Sequence, residues 1–133
     1  MTVEDIHYSE ESREALAFGS LRLSRVDITE IDNYSTNDLF IYRADNPEKI
    51  EHLAPKEYQI LWMLIGANGG FVTLTRILDF IYDNDEEDAP LSNVIEVYVS
   101  RVRKKIKKIT ERVKIEGRIR FGYRLREVNP FLP

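Results

Sequence analysis

The sequence predicts an α+β domain in which a small antiparallel sheet precedes three helices and a terminal β-hairpin. Three observations carry this. Apolar and polar residues alternate from Phe18 to about Leu53, helical periodicity runs from Pro55 to about Ile109, and two short strand patterns close the chain.

Across 133 residues there is material for one domain with one core: 43% of the residues are hydrophobic, 11% aromatic and 32% charged. We divide the chain into an acidic arm at residues 1–16 and a domain at residues 17–133. The absence of cysteine excludes disulfides and thiolate metal sites, and His7 and His52 alone make no usual zinc set, so neither a metal nor a cofactor is expected. The longest apolar run, ILWMLIGA from Ile60 to Ala67, is far below a bilayer span, and the N-terminus lacks the basic start and apolar stretch of an export signal. These features point to a cytoplasmic protein with no membrane partner.

Element by element, the arm reads as a mobile segment or short helix. FGSLRLS, VDITEI, DLFIYRA and KIEHL read as strands, separated by the turn-prone NYSTN and ADNPE. Pro55 opens the first helix, where its missing N–H costs nothing; Tyr58, Leu61, Trp62 and Ile65 form its apolar stripe, with Trp62 and Tyr58 expected in the core, and the NGG at 68–70 stops it. Thr73 or Thr75 caps a second helix with Ile77, Leu78, Ile81 and Tyr82 inward. After the acidic DNDEEDAPLS, Ser92 or Asn93 caps the longest helix, NVIEVYVSRVRKKIKKI. RVKIEG and GYRLREV, joined through RIRF, make the hairpin.

Charge is sharply polarised along this order. Residues 1–100 hold 7 Lys or Arg against 20 Asp or Glu, whereas residues 101–133 hold 12 against 3, within a formal net charge of −4. Such polarity fits a localised anionic partner, and it equally fits a solvated basic helix. At 100° per residue, Ile95, Val99, Val102, Ile106 and Ile109 of the third helix gather on one stripe. The opposite side collects Asn93, Val97, Ser100, Arg101, Lys104 and Lys108, with Glu96, Arg103 and Lys107 on a flank. A helix anchored on one side and carrying polar and cationic groups on the other suits the DNA major groove, where arginine pairs bidentately with guanine and lysine holds phosphate. Taken alone, an ordinary amphipathic helix with a basic solvent face fits as well. The neighbours decide between them: two supporting helices before it and a hairpin with Arg118, Arg120, Arg124 and Arg126 after it make the order of a winged helix-turn-helix.

LAPKEYQIL leading into a helix, SNVIEVYVSRVRKKI as the third helix and FGYRL ending the hairpin resemble, in order and over roughly residues 18–127, the OmpR/PhoB-type winged-helix effector domain of bacterial response regulators. The wording is nearest to members that act as cell-cycle regulators. The resemblance implies that Glu96, Val97, Ser100 and Arg101 face base edges, with Arg101 the guanine reader. It implies phosphate contacts at Asn93, Tyr98, Arg103, Lys104 and Tyr123, and a minor-groove arginine at Arg120, with Arg118 beside it. Departures are visible. The family's wing often carries an RGxGY turn, whereas IRFGY is shorter and puts Phe121 where small residues are usual; Ser100 stands where a second cation is common. Full-length members carry a phosphoacceptor receiver before the effector, and Met1 lies only a short arm ahead of the sheet, so the expectation is a regulator lacking that domain and not switched by aspartate phosphorylation.

The expected function is therefore sequence-specific binding of double-stranded DNA by a transcriptional regulator, as a homodimer on paired half-sites because about six phosphate contacts per domain bind loosely at physiological salt. The 83–92 loop corresponds to the segment that meets RNA polymerase in activators, although a solvated acidic connector is the favoured reading of it. The rival is a protein-binding winged helix that antagonises a response regulator or RNA polymerase. Catalysis is not expected: there is no Gly-rich phosphate loop, no Cys nucleophile and no His-centred pair.

Overall fold

The computed structural model describes residues 6–8, 14–30, 35–82 and 93–128. Leu21 and Leu23 point to one face of a strand, as the two-residue period requires, and Leu23 lies opposite Ile41 on the next. All three are fully buried. They belong to β3 (Leu21–Glu30) and β4 (Ser35–Arg43), which pair antiparallel, with β5 (Asn46–His52) beyond β4. β1 (Ile6–Tyr8) and β2 (Glu14–Phe18) share the other edge of β3, opposite its end and its beginning respectively.

Two expectations change here. The described parts of the N-terminal arm are strands rather than a short helix, since their N–H and C=O groups pair with an otherwise open edge of β3. LRLS and VDITE are also one continuous strand, because nothing between Ser24 and Val26 interrupts the extended backbone; the turn falls earlier, at Gly19 and Ser20.

α1 (Pro55–Gly66) starts at the proline, and Glu57 accepts the Ala54 N–H at 2.8 Å, satisfying a group that the helix leaves unpaired. α2 (Leu74–Ile81) is capped by Thr73, whose hydroxyl accepts the Arg76 N–H at 3.2 Å. Thr75 is inside that helix. α3 (Asn93–Ile109) begins at Asn93; Ser92 and the acidic loop lie outside the described residues. β6 (Val113–Arg118) and β7 (Gly122–Glu127) form the hairpin. Val72 extends it: its N–H donates to Tyr123 O at 2.8 Å and the Tyr123 N–H donates to Val72 O at 3.0 Å.

The core lies between the sheet, the three helices and the hairpin. Ile60, Leu61 and Leu64 of α1 meet Ile77 of α2, the whole predicted stripe of α3, and Val113, Ile115 and Leu125 of the hairpin. Tyr58 is buried as expected, but Trp62 is not: it is 43% exposed and stacks on Phe80 of α2 at 5.4 Å, with ring planes 5° apart. The inward face of α1 is centred on Ile60, Leu61 and Leu64, which rotates Trp62 to its edge.

Candidate nucleic-acid interface

α3 stands on its aliphatic stripe, so the residues on its far side must face outward. Asn93, Glu96, Val97, Ser100, Arg101 and Lys104 are all exposed. Val97 is an apolar group left 49% exposed among them. Tyr98 is half-buried, and the Arg101 guanidinium sits 5.9 Å from its ring centroid, a contact that limits the arginine's rotamers.

The six cations of SRVRKKIKKI meet four different fates. Lys105 turns inward, its ammonium 2.6 Å from Oε1 of Glu57, whose side chain is 2% exposed. Lys108 reaches Glu51 at 3.6 Å while staying mostly in water, an ion pair of little energetic weight. Arg103 donates from Nε and Nη2 to the Ile115 carbonyl at 3.2 and 3.1 Å, and its guanidinium lies 5.9 Å from the Tyr123 ring centroid. Arg101, Lys104 and Lys107 remain exposed, with no acidic partner among the described residues. A positive ridge therefore persists after two lysines have paired with the acidic front half.

Arg103 ties the ridge to the hairpin. Strand alternation puts Lys114, Glu116 and Arg118 of β6 on the outer face, beside Arg126 and Arg124 of β7. Glu116 gathers the arginines: Arg124 bonds it at 2.9 and 3.1 Å, Arg118 at 3.1 Å, and Arg126 approaches to 3.9 Å. The Arg124 hydrogen bond, with the charges of all three, holds the Glu116 carboxyl below the usual carboxylate range. Substituting Glu116→Gln removes one negative charge from this face. The expected result is tighter non-specific duplex binding and a plot of log K against log salt steeper by up to about one, read by anisotropy at several salt concentrations.

Tyr123 lies across Gly117, where a Cβ would come within 2.9 Å of its ring, so glycine is needed for that approach. Burial, aided by the Glu96 charge and opposed by Arg103, raises the Tyr123 pKa; the phenol stays protonated and can donate to a phosphate oxygen. Between the start of α2, the Glu96–Arg103 face of α3 and the hairpin tip runs an open groove of about 730 Å³, lined by Thr73, Thr75, Arg118, Arg120 and Tyr123 among others. Arg120 is exposed at the tip with φ +74°, a left-handed conformation.

Sequence reasoning missed three features. The Glu57–Lys105 pair had a signal: Glu57 is at a capping position, and Lys105 adjoins the Val102–Ile106 stripe. Arg103's bond to a backbone carbonyl had none. Phe71 was also unassigned; it lies under Arg124 at 4.6 Å and against Phe121 at 5.6 Å.

No helix among the described residues is long and apolar enough to cross a membrane. None of the curated proteins matches the chain. Among solved structures, a RitR mutant matches over 85% of this chain and 43% of its own, at 22% identity and a TM-score of 0.56. A protein from a family of streptococcal redox sensors evolved from two-component response regulators matches over 85% and 42%, at 21% identity and a TM-score of 0.59. The chain thus spans about two fifths of the length of either, and these likenesses concern the fold. The DNA-binding domain of the response regulator AdeR, in complex with an intercistronic region, matches over 66% of this chain and 84% of its own, at 22% identity and a TM-score of 0.49. Residues 48–125, more than half of the chain and running from within β5 into β7, match the family model described as transcriptional regulatory protein, C terminal. The chain belongs to that family, the OmpR/PhoB-type DNA-binding domains of transcriptional regulators.

Proposed function

We propose that the chain regulates transcription by reading a specific double-stranded DNA sequence, with α3 in the major groove and the hairpin tip over the adjacent minor groove. The observation that carries this is the outward face of α3, polar and cationic above a fully buried stripe and joined to the arginine-bearing hairpin through Arg103 and Ile115. Glu96, Val97, Ser100 and Arg101 read bases; Asn93, Tyr98, Arg103, Lys104 and Tyr123 hold phosphates; Arg120, with Arg118 behind it, enters the minor groove. Arg103 has spent two donors on Ile115, so its remaining nitrogen makes the phosphate contact. Two copies on paired half-sites supply the affinity that one domain lacks at cellular salt. The 83–92 segment, outside the described residues, is the candidate contact for RNA polymerase, and the work is done in the cytoplasm at the nucleoid.

Selection from a random duplex pool tests the reading, with a recovered motif as the expected result. In that assay Arg101→Ala relaxes one base position by about 1–3 kcal/mol. An unchanged motif would refute base reading by Arg101. Lys104→Ala instead weakens every sequence alike and lowers the salt slope by about one.

A second reading, a protein-binding winged helix that antagonises a response regulator or polymerase, draws on the exposed Trp62–Phe80 stack and the net charge of −4. A pool from which no duplex is retained at low or moderate salt favours it.

A further inference from the structure

The hairpin tip carries an apolar pair where a charged ribbon would be expected. Ile119 is 91% exposed and Phe121 is 56% exposed, the two most exposed large hydrophobic residues among those described. The Phe121 N–H donates to Arg118 O at 3.1 Å, closing a four-residue turn whose third residue, Arg120, has the positive φ of a type II turn. Ile119 and Arg120 are therefore the two corner residues of one tight turn. The corner is firmly held from behind. Strand pairing runs up to Arg118 and Gly122, Val72 bonds Tyr123 on both sides, and the Phe121 ring packs against Phe71, over which the Arg124 guanidinium lies.

An isoleucine kept almost wholly in water joins no core among the described residues, and its surroundings limit what can cover it. Arg120 is the other corner residue, and Arg118 and Arg124, both bonded to Glu116, lie behind it on the hairpin. A protein partner would ordinarily meet a broader apolar patch than these two side chains offer. A minor groove presents the matching arrangement, with apolar sugar walls and base-step edges between two rows of phosphates. Apolar side chains placed there partly unstack a base step and kink the duplex.

We propose that Ile119, backed by Phe121, is a wedge that enters the minor groove beside Arg120 and opens a base step, so that the protein bends the DNA it binds. This rests on the proposed placement of the hairpin. The wedge favours pyrimidine–purine steps beneath the tip, because these unstack most readily, and so adds sequence preference at a position no hydrogen bond reads.

The test uses the whole chain and an operator-length duplex recovered by selection, end-labelled for energy transfer, with wild type, Ile119→Ser and Arg120→Ala compared. Ile119 lies outside the core, so Ile119→Ser should unfold at the wild-type temperature. Wild type is expected to shorten the end-to-end distance. Ile119→Ser should leave the duplex straight, bind about tenfold more weakly and lose the preference at the step, with its salt slope unchanged. Arg120→Ala should keep the bend and lower the slope by about one. A wild-type complex on straight DNA overturns the wedge, as does Ile119→Ser with wild-type bend and affinity. So does a sedimentation result in which Ile119→Ser changes self-association while leaving DNA binding intact. A wild-type chain that retains no duplex overturns the binding reading and the wedge with it.

Discussion

Gly122→Ala is expected to cost about 4 kcal/mol of folding stability and to detach the hairpin from α2, an effect at the upper end for a single substitution. A Cβ at this position would lie 1.9 Å from Val72 O, 2.7 Å from Val72 C and 2.8 Å from Thr73 Cα, all backbone atoms with no rotamer to change. The residue also holds φ +98°, which alanine adopts only under strain. Relief requires pulling Val72 away from Tyr123, which loses two hydrogen bonds of about 1 kcal/mol each on top of about 1–3 kcal/mol of backbone strain. Thermal unfolding by circular dichroism measures the loss. A variant within 1 kcal/mol of wild type, by that measurement, would mean that the hairpin is not fastened through this bridge.

The second large effect concerns Lys105. Lys105→Met leaves the Glu57 carboxylate almost completely buried, with the Ala54 N–H as its one remaining hydrogen-bond partner among the described residues, and an uncompensated charge of that kind costs about 3–5 kcal/mol. Adding Glu57→Gln should recover most of the loss, since replacing both members of a buried pair is often nearly neutral. Denaturant titration of the two single variants and the double variant gives the coupling. Equal, additive losses would show that the two groups do not depend on each other. Because Lys105 lies on α3 and Glu57 opens α1, the pair also fixes how far α3 projects from its support.

What the sequence revealed follows the strength of its periodicities. α3 was legible to the residue: five aliphatic positions at helical spacing can be buried together in only one rotation, so its exposed face followed as well. α1 was legible as a helix but not in its exact rotation, because Ile60, Leu61, Trp62, Met63, Leu64 and Ile65 offer several stripes and only packing against α3 and the sheet chooses among them. The pairing of β1 and β2 with β3 was invisible, since Glu14–Phe18 has little β-propensity and is ordered by an edge elsewhere in the chain. The arginines of the hairpin were found, but not that Glu116 gathers three of them, because that depends on cross-strand register. Likewise, a carbonyl partner such as that of Arg103 leaves no mark in the residue string.

The displaced Trp62 has a practical consequence. It is the only tryptophan in the chain, and it lies face to face with Phe80 beside Arg25, Leu39, Pro55 and Gln59, groups contributed by the sheet, α1 and α2. Its fluorescence is thus a built-in optical gauge of the scaffold, set apart from α3 and the hairpin. A variant whose emission spectrum matches the parent's has kept its helical frame, and any affinity it has lost was lost at the surface.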